Sequence, residues 1–265
     1  MRPPVITMVS QILARVSKPL VRDFGEIAGL QNSEKAESFL LAAERRTEAL
    51  LHDAFHKAYP KHNLLMEDSG FIDYAEAGSP LWIIDPIDGS KNFLHGLPYF
   101  STSVALKENN QLVAAMIFDP LRNELFWAYR SLGAYLNQTR LRVSKRTSLS
   151  ECIFAMGTGQ LKGPAHAFHS LSAIGYQVSG LRAWGATSLN LAYLAAGQYD
   201  GFWDYHSRPW DMAAGILMVK EAGGTLTNFE GRFPSFEGDS LIAGNQATYQ
   251  FLASVLASPA TSSSK

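Results

Sequence analysis

Trp82-Ile83-Ile84-Asp85-Pro86-Ile87-Asp88-Gly89-Ser90-Lys91-Asn92-Phe93 is the stretch on which the fold turns. Leu81 to Ile84 is a short apolar, β-branched run of the kind that forms a buried strand. It leads directly into two carboxylates, Asp85 and Asp88, separated by Pro86 and Ile87. Proline fixes its own φ and lacks an N–H, so the strand is expected to end at Pro86. Gly89-Ser90 reads as a tight turn into a helix, with Ser90 as the candidate N-cap. Two acids at the carboxyl end of a strand, beside free N–H groups at a helix start, can hold cations and an anion together. Mg²⁺-dependent phosphoryl transfer needs that layout. The same residues also read as a strand closed by an Asp-Pro-x-Asp-Gly turn with both acids solvated, and the rest of the chain must separate the two readings.

Upstream, Ile12, Val16, Leu20 and Phe24 recur at helical spacing and predict a first amphipathic helix from Val5 to about Phe24. Gly25 to Asn32 reads as a loop. Phe39, Leu40, Ala43, Thr47, Leu50, Leu51, Ala54 and Phe55 carry a second helix from Ser33 to Tyr59, stopped by Pro60. Its acids Glu34, Glu37, Glu44 and Glu48 read mostly as solvated face. His62 to Met66 is a short strand that runs into Glu67-Asp68-Ser69-Gly70, near enough to Asp85 for neighbouring strands to bring the carboxylates together. Asp73 to Pro80 reads as an acidic loop.

Downstream, Phe100 to Lys107 and Leu112 to Phe118 predict two strands joined at Asn109-Asn110, and Glu124 to Tyr129 and Ala134 to Leu136 continue an antiparallel meander. His166 and His169 fall in a helical stretch and read as surface or interhelix histidines. Trp184-Gly185-Ala186-Thr187 precedes a helix from Ser188 to Ala196; small residues there let a ligand approach the backbone, and a plain capping turn explains them equally. Tyr199 to Asp204 and Arg208-Pro209-Trp210-Asp211-Met212-Ala213-Ala214-Gly215 form the second informative stretch. Asp211 opens a helix, where an acid serves as cap or dipole partner. Glu221-Ala222-Gly223-Gly224 carries a C-terminal glycine signal. Strands at Thr225 to Phe229 and Leu241 to Ala243 and a helix from Asn245 to Ala257 complete the chain.

Composition narrows the class. The 265 residues are 46% hydrophobic with a net charge of −1, enough for a continuous core and without a basic block to engage nucleic acid. Cys152 is the single cysteine, which excludes an intrachain disulfide or a Cys-cluster zinc site. No run approaches the length of a membrane span. A soluble, reducing, cytoplasmic setting is the expectation, with a flexible tail over 258–265.

Together, Glu67-Asp68, Asp85-Pro86-Ile87-Asp88-Gly89-Ser90 and Trp210-Asp211-Met212-Ala213 resemble the collinear signature segments of the inositol monophosphatase family. The likeness runs from the first helix to about Ala257. Asp119 to Phe126 and Ser207 to Asp211 look most like its bacterial branch. The resemblance implies an α+β fold, a layered αβαβα sandwich in a single catalytic domain over 1–257, with lobes over about 1–150 and 151–257. It also implies a homodimer and two or three Mg²⁺ ions. Carried over, Glu67, Asp85, Asp88, Asp211 and the Ile87 carbonyl would be metal ligands. Gly89 and Ser90 N–H groups would hold the phosphate, and Ala186 and Asp204 would meet the substrate's hydroxyls beside Asp88 and Asp211. Glu44, Ser90 and Glu67 would activate the attacking water.

The sequence departs from the family pattern at Ser38-Phe39-Leu40-Leu41-Ala42-Ala43-Glu44, where an aspartate and a threonine are gone and a second aspartate has become Glu44. Ser90 stands for a threonine, Asp68 for the second acid of a Glu-Glu pair and Asp204 for a glutamate. Such swaps keep the functional group and move it by about one methylene, and a shift near 1 Å can cost on the order of a hundredfold in rate. Two functions are therefore expected. One is a Mg²⁺-dependent phosphomonoesterase acting on inositol-1-phosphate or a similar polyol or sugar phosphate, with fructose bisphosphate and nucleotide 3′-phosphates as rival substrates. The other is a weakened member kept as a regulatory binding protein, for instance a partner of the transcription machinery. Retention of four metal carboxylates favours the first, because an idle site has no physical need to bury like charges.

Overall fold

The computed structural model describes residues 2–27, 33–76, 78–157, 166–235 and 239–256. Two long helices open the chain, α1 (Pro4–Ile27) and α2 (Ser33–Ala58). α1 buries Ile6, Val9, Ile12, Leu13, Val16 and Leu20 along one stripe. It continues through Gly25 to Ile27, past the expected loop start, and 28–32 lie outside the described residues. On α2 the apolar stripe forms as expected except that Leu50 is exposed, and Glu48 is buried instead of solvated.

Strands β1 (Asn63–Met66), β2 (Gly70–Ile72), β3 (Leu81–Asp88), β4 (Ser101–Glu108), β5 (Gln111–Asp119), β6 (Glu124–Tyr129), β7 (Gly133–Leu136) and β8 (Thr139–Arg140) form one eight-stranded sheet. Its order is β2-β1-β3-β4-β5-β6-β7-β8. β1 runs parallel to β3, and the other pairs are antiparallel. Asn109 and Asn110 both take positive φ, 48° and 61°, in the β4–β5 turn, a conformation that asparagine tolerates better than most residues. β2 was not legible in the sequence, since three residues carry no period.

The chain does not leave the sheet at Pro86. Asp85 pairs with Ser103 and Asp88 with Ser101, so three steps on β3 face two on β4 and the strand carries a bulge. A proline missing its donor is tolerated at such a bulge, and the bulge re-aims the carboxylates around it. Ser90 is not the N-cap either. Gly89 holds that position with φ 93°, and Ser90 is the first residue of the short helix α3 (Ser90–Leu94). A Cβ at Gly89 would come within 2.9 Å of the Tyr99 carbonyl oxygen, so both conformation and space require glycine.

A second sheet is built from β9 (Ile153–Met156), β10 (Gly180–Arg182), β11 (Gly201–Ser207), β12 (Thr225–Thr227) and β13 (Asp239–Gly244), ordered β10-β9-β11-β13-β12. Among the remaining helices, α5 (Thr187–Ala195) and α6 (Pro209–Glu221) lie between the two sheets, where Leu189, Leu191, Ala213, Ile216 and Val219 meet Ile117 and Phe126 of the first and Phe202 and Leu241 of the second. α1 and α2 cover the outer face of the first sheet around Phe55, Trp82 and Met116. α4 (His166–Gly175) and α7 (Gln246–Leu256) cover the second around Phe154, Trp203 and Leu252. The order α, β, α, β, α is the layered sandwich expected. Strand β12 stops at Thr227, short of the expected Phe229, and the tail over 258–265 lies outside the described residues.

Candidate active site

Strand pairing brings the acids together. Met66 lies opposite Ile84 in the parallel β1–β3 pair, so Glu67, just past the end of β1, and Asp85, on β3, come to neighbouring positions. The bulge carries Asp88 to the same end, and the start of α6 delivers Asp211 from the middle layer. One carboxylate oxygen each from Asp85, Asp88 and Asp211 lie within 4.8 Å of one another. Asp211 does not open its helix as the sequence suggested; it lies in the first turn, as a dipole partner and member of a capping box. Arg208 is the N-cap, Pro209 is N1 and Asp211 is N3, its Oδ2 accepting the Arg208 N–H at 3.0 Å.

Asp85 and Asp88 are each held by identifiable donors. Asp85 Oδ1 accepts the Ile87 N–H at 2.9 Å, and the Ile87 side chain is buried with Leu20, Phe93 and Phe100. Asp88 reaches the first turn of α5, where its two oxygens accept the Thr187 N–H at 3.2 Å and the Ser188 N–H at 2.7 Å, with the Ser188 hydroxyl as a third donor. Ser188 is itself linked to Ser101 of β4 at 2.8 Å. The small residues before α5 therefore admit the protein's own carboxylate to the backbone. Ala186 is buried behind the Gly89 turn, and a Cβ on Gly89 would come within 3.1 Å of its methyl. Asn92 of α3 donates to the carbonyls of Tyr99 at 2.7 Å and Trp184 at 2.5 Å, tying the Gly89 turn to the α5 approach.

Crowding of like charges dominates the electrostatics. Burial, then Asp88, Glu67 and Asp211, holds the Asp85 carboxyl well above the usual range. Burial and the Asp211 charge push Asp88 up to about 7 against its three donors. Desolvation, then the charges of Asp211, Glu44 and Asp68, pushes Glu67 up to about 7. Asp211 is raised by burial, with the Arg208 N–H, the Arg208 guanidinium and the neighbouring His206 opposing. Carboxylates this close cannot all ionise in a poorly solvated site without a counter-cation. The donor set is oxygen only, which fits a hard divalent ion such as Mg²⁺ and not a thiophilic one.

Glu44, on α2, stands beside this cluster. It is half-buried, its carboxyl raised by burial and by Asp68, while the Ser90 side chain opposes the shift by hydrogen bonding. Two residues that depart from the family pattern, Glu44 and Ser90, thus meet across the α2–α3 contact. Asp204, at the opposite wall on β11, is buried, and burial raises it to about 6. Its oxygens accept the Ser207 hydroxyl at 3.1 Å, the His206 N–H at 3.3 Å and the Thr187 hydroxyl at 3.4 Å.

Sequence reasoning missed three supports of the site. Thr187 and Ser188 hold Asp88, for which a hydroxyl pair opening a helix was the available signal. Gly157 lies against Asp204: a Cβ there would meet the carboxylate at 2.0 Å, and no local signal announces that. Glu48 accepts the N–H groups of Asp68 at 3.2 Å and Ser69 at 2.9 Å, together with the Ser69 hydroxyl, and so fixes the turn that carries Glu67.

Three comparisons with known proteins bear on this geometry. The model of the inositol monophosphatase family matches residues 4–260. An inositol-1-monophosphatase of Rhizobium meliloti is 39% identical over 261 residues, 97% of this chain and 98% of that protein. A protein of Pseudomonas aeruginosa called Nus factor SuhB is 40% identical over 228 residues, 83% of each chain. Among solved structures, the extragenic suppressor protein suhB from Bartonella henselae superposes with a TM-score of 0.86 at 38% identity, covering 97% of this chain and all of that one.

Proposed function

The chain belongs to the inositol monophosphatase family and is a phosphatase of that family, and from that premise we propose that it hydrolyses inositol-1-phosphate, or a closely similar polyol or sugar phosphate, using two or three Mg²⁺ ions. The convergence of Asp85, Asp88 and Asp211 within 4.8 Å beside the Gly89-Ser90 turn carries the reading. Glu67, Asp85, Asp88, Asp211 and the Ile87 carbonyl would hold the ions. Bound there, Mg²⁺ would supply charge to polarise the phosphate, lower the pKa of water and stabilise the leaving alkoxide.

The chain's own residues do the rest. The Gly89 and Ser90 N–H groups, at the positive end of α3, receive phosphate oxygens. Glu44 accepts a proton from the attacking water, with the Ser90 hydroxyl orienting both, and Glu67 stands beside it. Asp204, fixed by Ser207, His206 and Thr187, accepts a hydroxyl of the leaving polyol, and the α5 approach at Ala186 closes that side of the pocket. Millimolar Li⁺ is expected to inhibit, and the working form is proposed to be a homodimer.

The test is phosphate release from inositol-1-phosphate with and without millimolar Mg²⁺, beside an EDTA blank and the Asp88→Asn variant. Mg²⁺-dependent release that is lost in the variant supports the proposal. No release from inositol, sugar or nucleotide phosphates overturns it. That outcome would favour a second reading, motivated by the 40% identity to a protein called a Nus factor: a regulatory binding protein with a partner in the transcription machinery.

A further inference from the structure

At the end of α6 remote from Asp211, a separate cavity of about 230 Å³ opens between the β4–β5 turn, the end of β6 and the loop that follows β12. Leu112, Ile216 and Leu217, all buried, make its floor. Its rim carries two cations, Arg130 and Lys220. Arg130 is held in place: its Nε donates to the Leu112 carbonyl at 3.1 Å and its Nη1 to the Gln111 side chain. The Lys220 ammonium stands over the Phe233 ring at 5.1 Å from the centroid, and Phe233 is itself half-exposed at the mouth. Among the described residues no aspartate or glutamate lines the cavity. The neighbouring Glu221 is turned away, its two oxygens accepting the Ser131 and Gly133 N–H groups at 2.8 Å.

We propose that this cavity is a second binding site, for a small organic carboxylate with a compact apolar or aromatic body. An apolar floor with a few convergent polar groups is the usual make-up of a small-molecule pocket, and this one, at about 230 Å³, lies just below the usual range of about 300–1,000 Å³ and so suits only a compact ligand. The floor removes the body of such a ligand from water. Arg130 and Lys220 take the carboxylate by charge-assisted hydrogen bonds, and the fixed guanidinium loses little freedom in doing so. The Phe233 ring closes the mouth over the ligand's apolar face, already held near Lys220 by a cation–π contact. A neutral amide of the same shape keeps the floor contacts and loses the charge, and a polyol phosphate has no apolar body to place on a floor of leucine and isoleucine. That separates this site from the acidic centre, which repels free carboxylates unless cations screen it.

Saturation-transfer NMR with phenylacetate, against its neutral isostere phenylacetamide, tests this on the full chain in EDTA. Saturable phenylacetate binding is expected, weaker by about tenfold for the amide and for Lys220→Glu, the loss of one hydrogen bond to a charged group. Phe233→Ala is expected to weaken both ligands. In a parallel sample without EDTA, inorganic phosphate with Mg²⁺ is expected to leave the signal in place, and phosphatase activity is expected to be unchanged in Lys220→Glu. Melting curves verify folding, and Lys220→Met serves if the charge reversal fails to fold. Absence of binding, equal binding in the Lys220 variants, or displacement by phosphate and Mg²⁺ would each overturn the proposal.

Discussion

Asp88 Oδ2 accepts the backbone N–H of Ser188 at 2.7 Å, joining the end of β3 to the first turn of a helix one hundred residues further along the chain. The first helical turn carries unsatisfied N–H groups and a positive dipole end, so it stabilises an anion there. Asp88 is thereby aimed at Asp85 and Asp211 before any cation arrives, and the site is organised by the protein's own backbone.

Removing that charge separates two effects. Asp88→Asn keeps the shape and an acceptor oxygen for Ser188 but lowers the negative charge of the cluster by one. Mg²⁺-dependent phosphate release is expected to fall at least a hundredfold, about 2.7 kcal/mol of transition-state stabilisation. The metal-free variant is expected to melt at or above the wild type, because a buried like charge is gone. Thermal melts with and without Mg²⁺ check this, and an undiminished Mg²⁺-induced rise in Tm would remove Asp88 from the ligand set.

Glu44 and Ser90 are expected to act on turnover and not on binding. Glu44→Gln cannot accept the proton, so kcat should fall by about two orders of magnitude, with KM near the wild-type value. Glu44→Asp should retain or raise the rate. Steady-state kinetics on inositol-1-phosphate decide it, and full activity in Glu44→Gln would rule out the base.

Gly157→Ala places a methyl where the Asp204 carboxylate lies, at 2.0 Å. Either Asp204 swings away from Thr187 and Ser207 or β9 shifts. If Asp204 binds a substrate hydroxyl, KM is expected to rise about tenfold, since one hydrogen bond to a charged group is worth ~1.5–3 kcal/mol. Mg²⁺ dependence should be unaltered. A variant with unchanged KM would free Asp204 from that role.

The metal-free protein should lose stability as pH rises. Asp88 and Glu67 keep protons up to about 7 in the folded chain and release them near the ordinary carboxylate value when unfolded. Between those values the native state binds more protons, so ∂ΔG/∂pH of unfolding is negative. This contribution is complete below the unfolded values and disappears as pH climbs through about 7. In EDTA, Tm should therefore be higher near pH 5.5 than near about pH 8, and millimolar Mg²⁺ should narrow or reverse the gap by binding the ionised cluster. A Tm that rises with pH in EDTA would contradict the crowding of these acids.

Much of this was legible in one dimension. Period 3.6 along Ile12, Val16 and Leu20 and alternation around Asn109-Asn110 identify the helices and the meander, because burial of one face writes a period into the chain, while the collinear acid segments at 67, 85–88 and 211 give the candidate ligands through their family resemblance. The strand through Pro86 was not legible. A proline lacks a donor wherever it sits, and only the register of β3 against β4 shows that the missing bond falls at a bulge. Glu48 read as a solvated acid because its partners, Asp68 and Ser69, come from a turn some twenty residues away. For Gly157 the reason for glycine is a carboxylate on another strand. Sequence alone determined the order of helices and strands along the chain, which depends on residue type and local period, while the layer order and the full set of candidate ligands came from the resemblance of its collinear motifs to a known family. Tertiary structure alone decided how the carboxylates converge, which donors hold each of them and where a second cavity opens, because contacts between distant segments arise only when the sheets and helices pack.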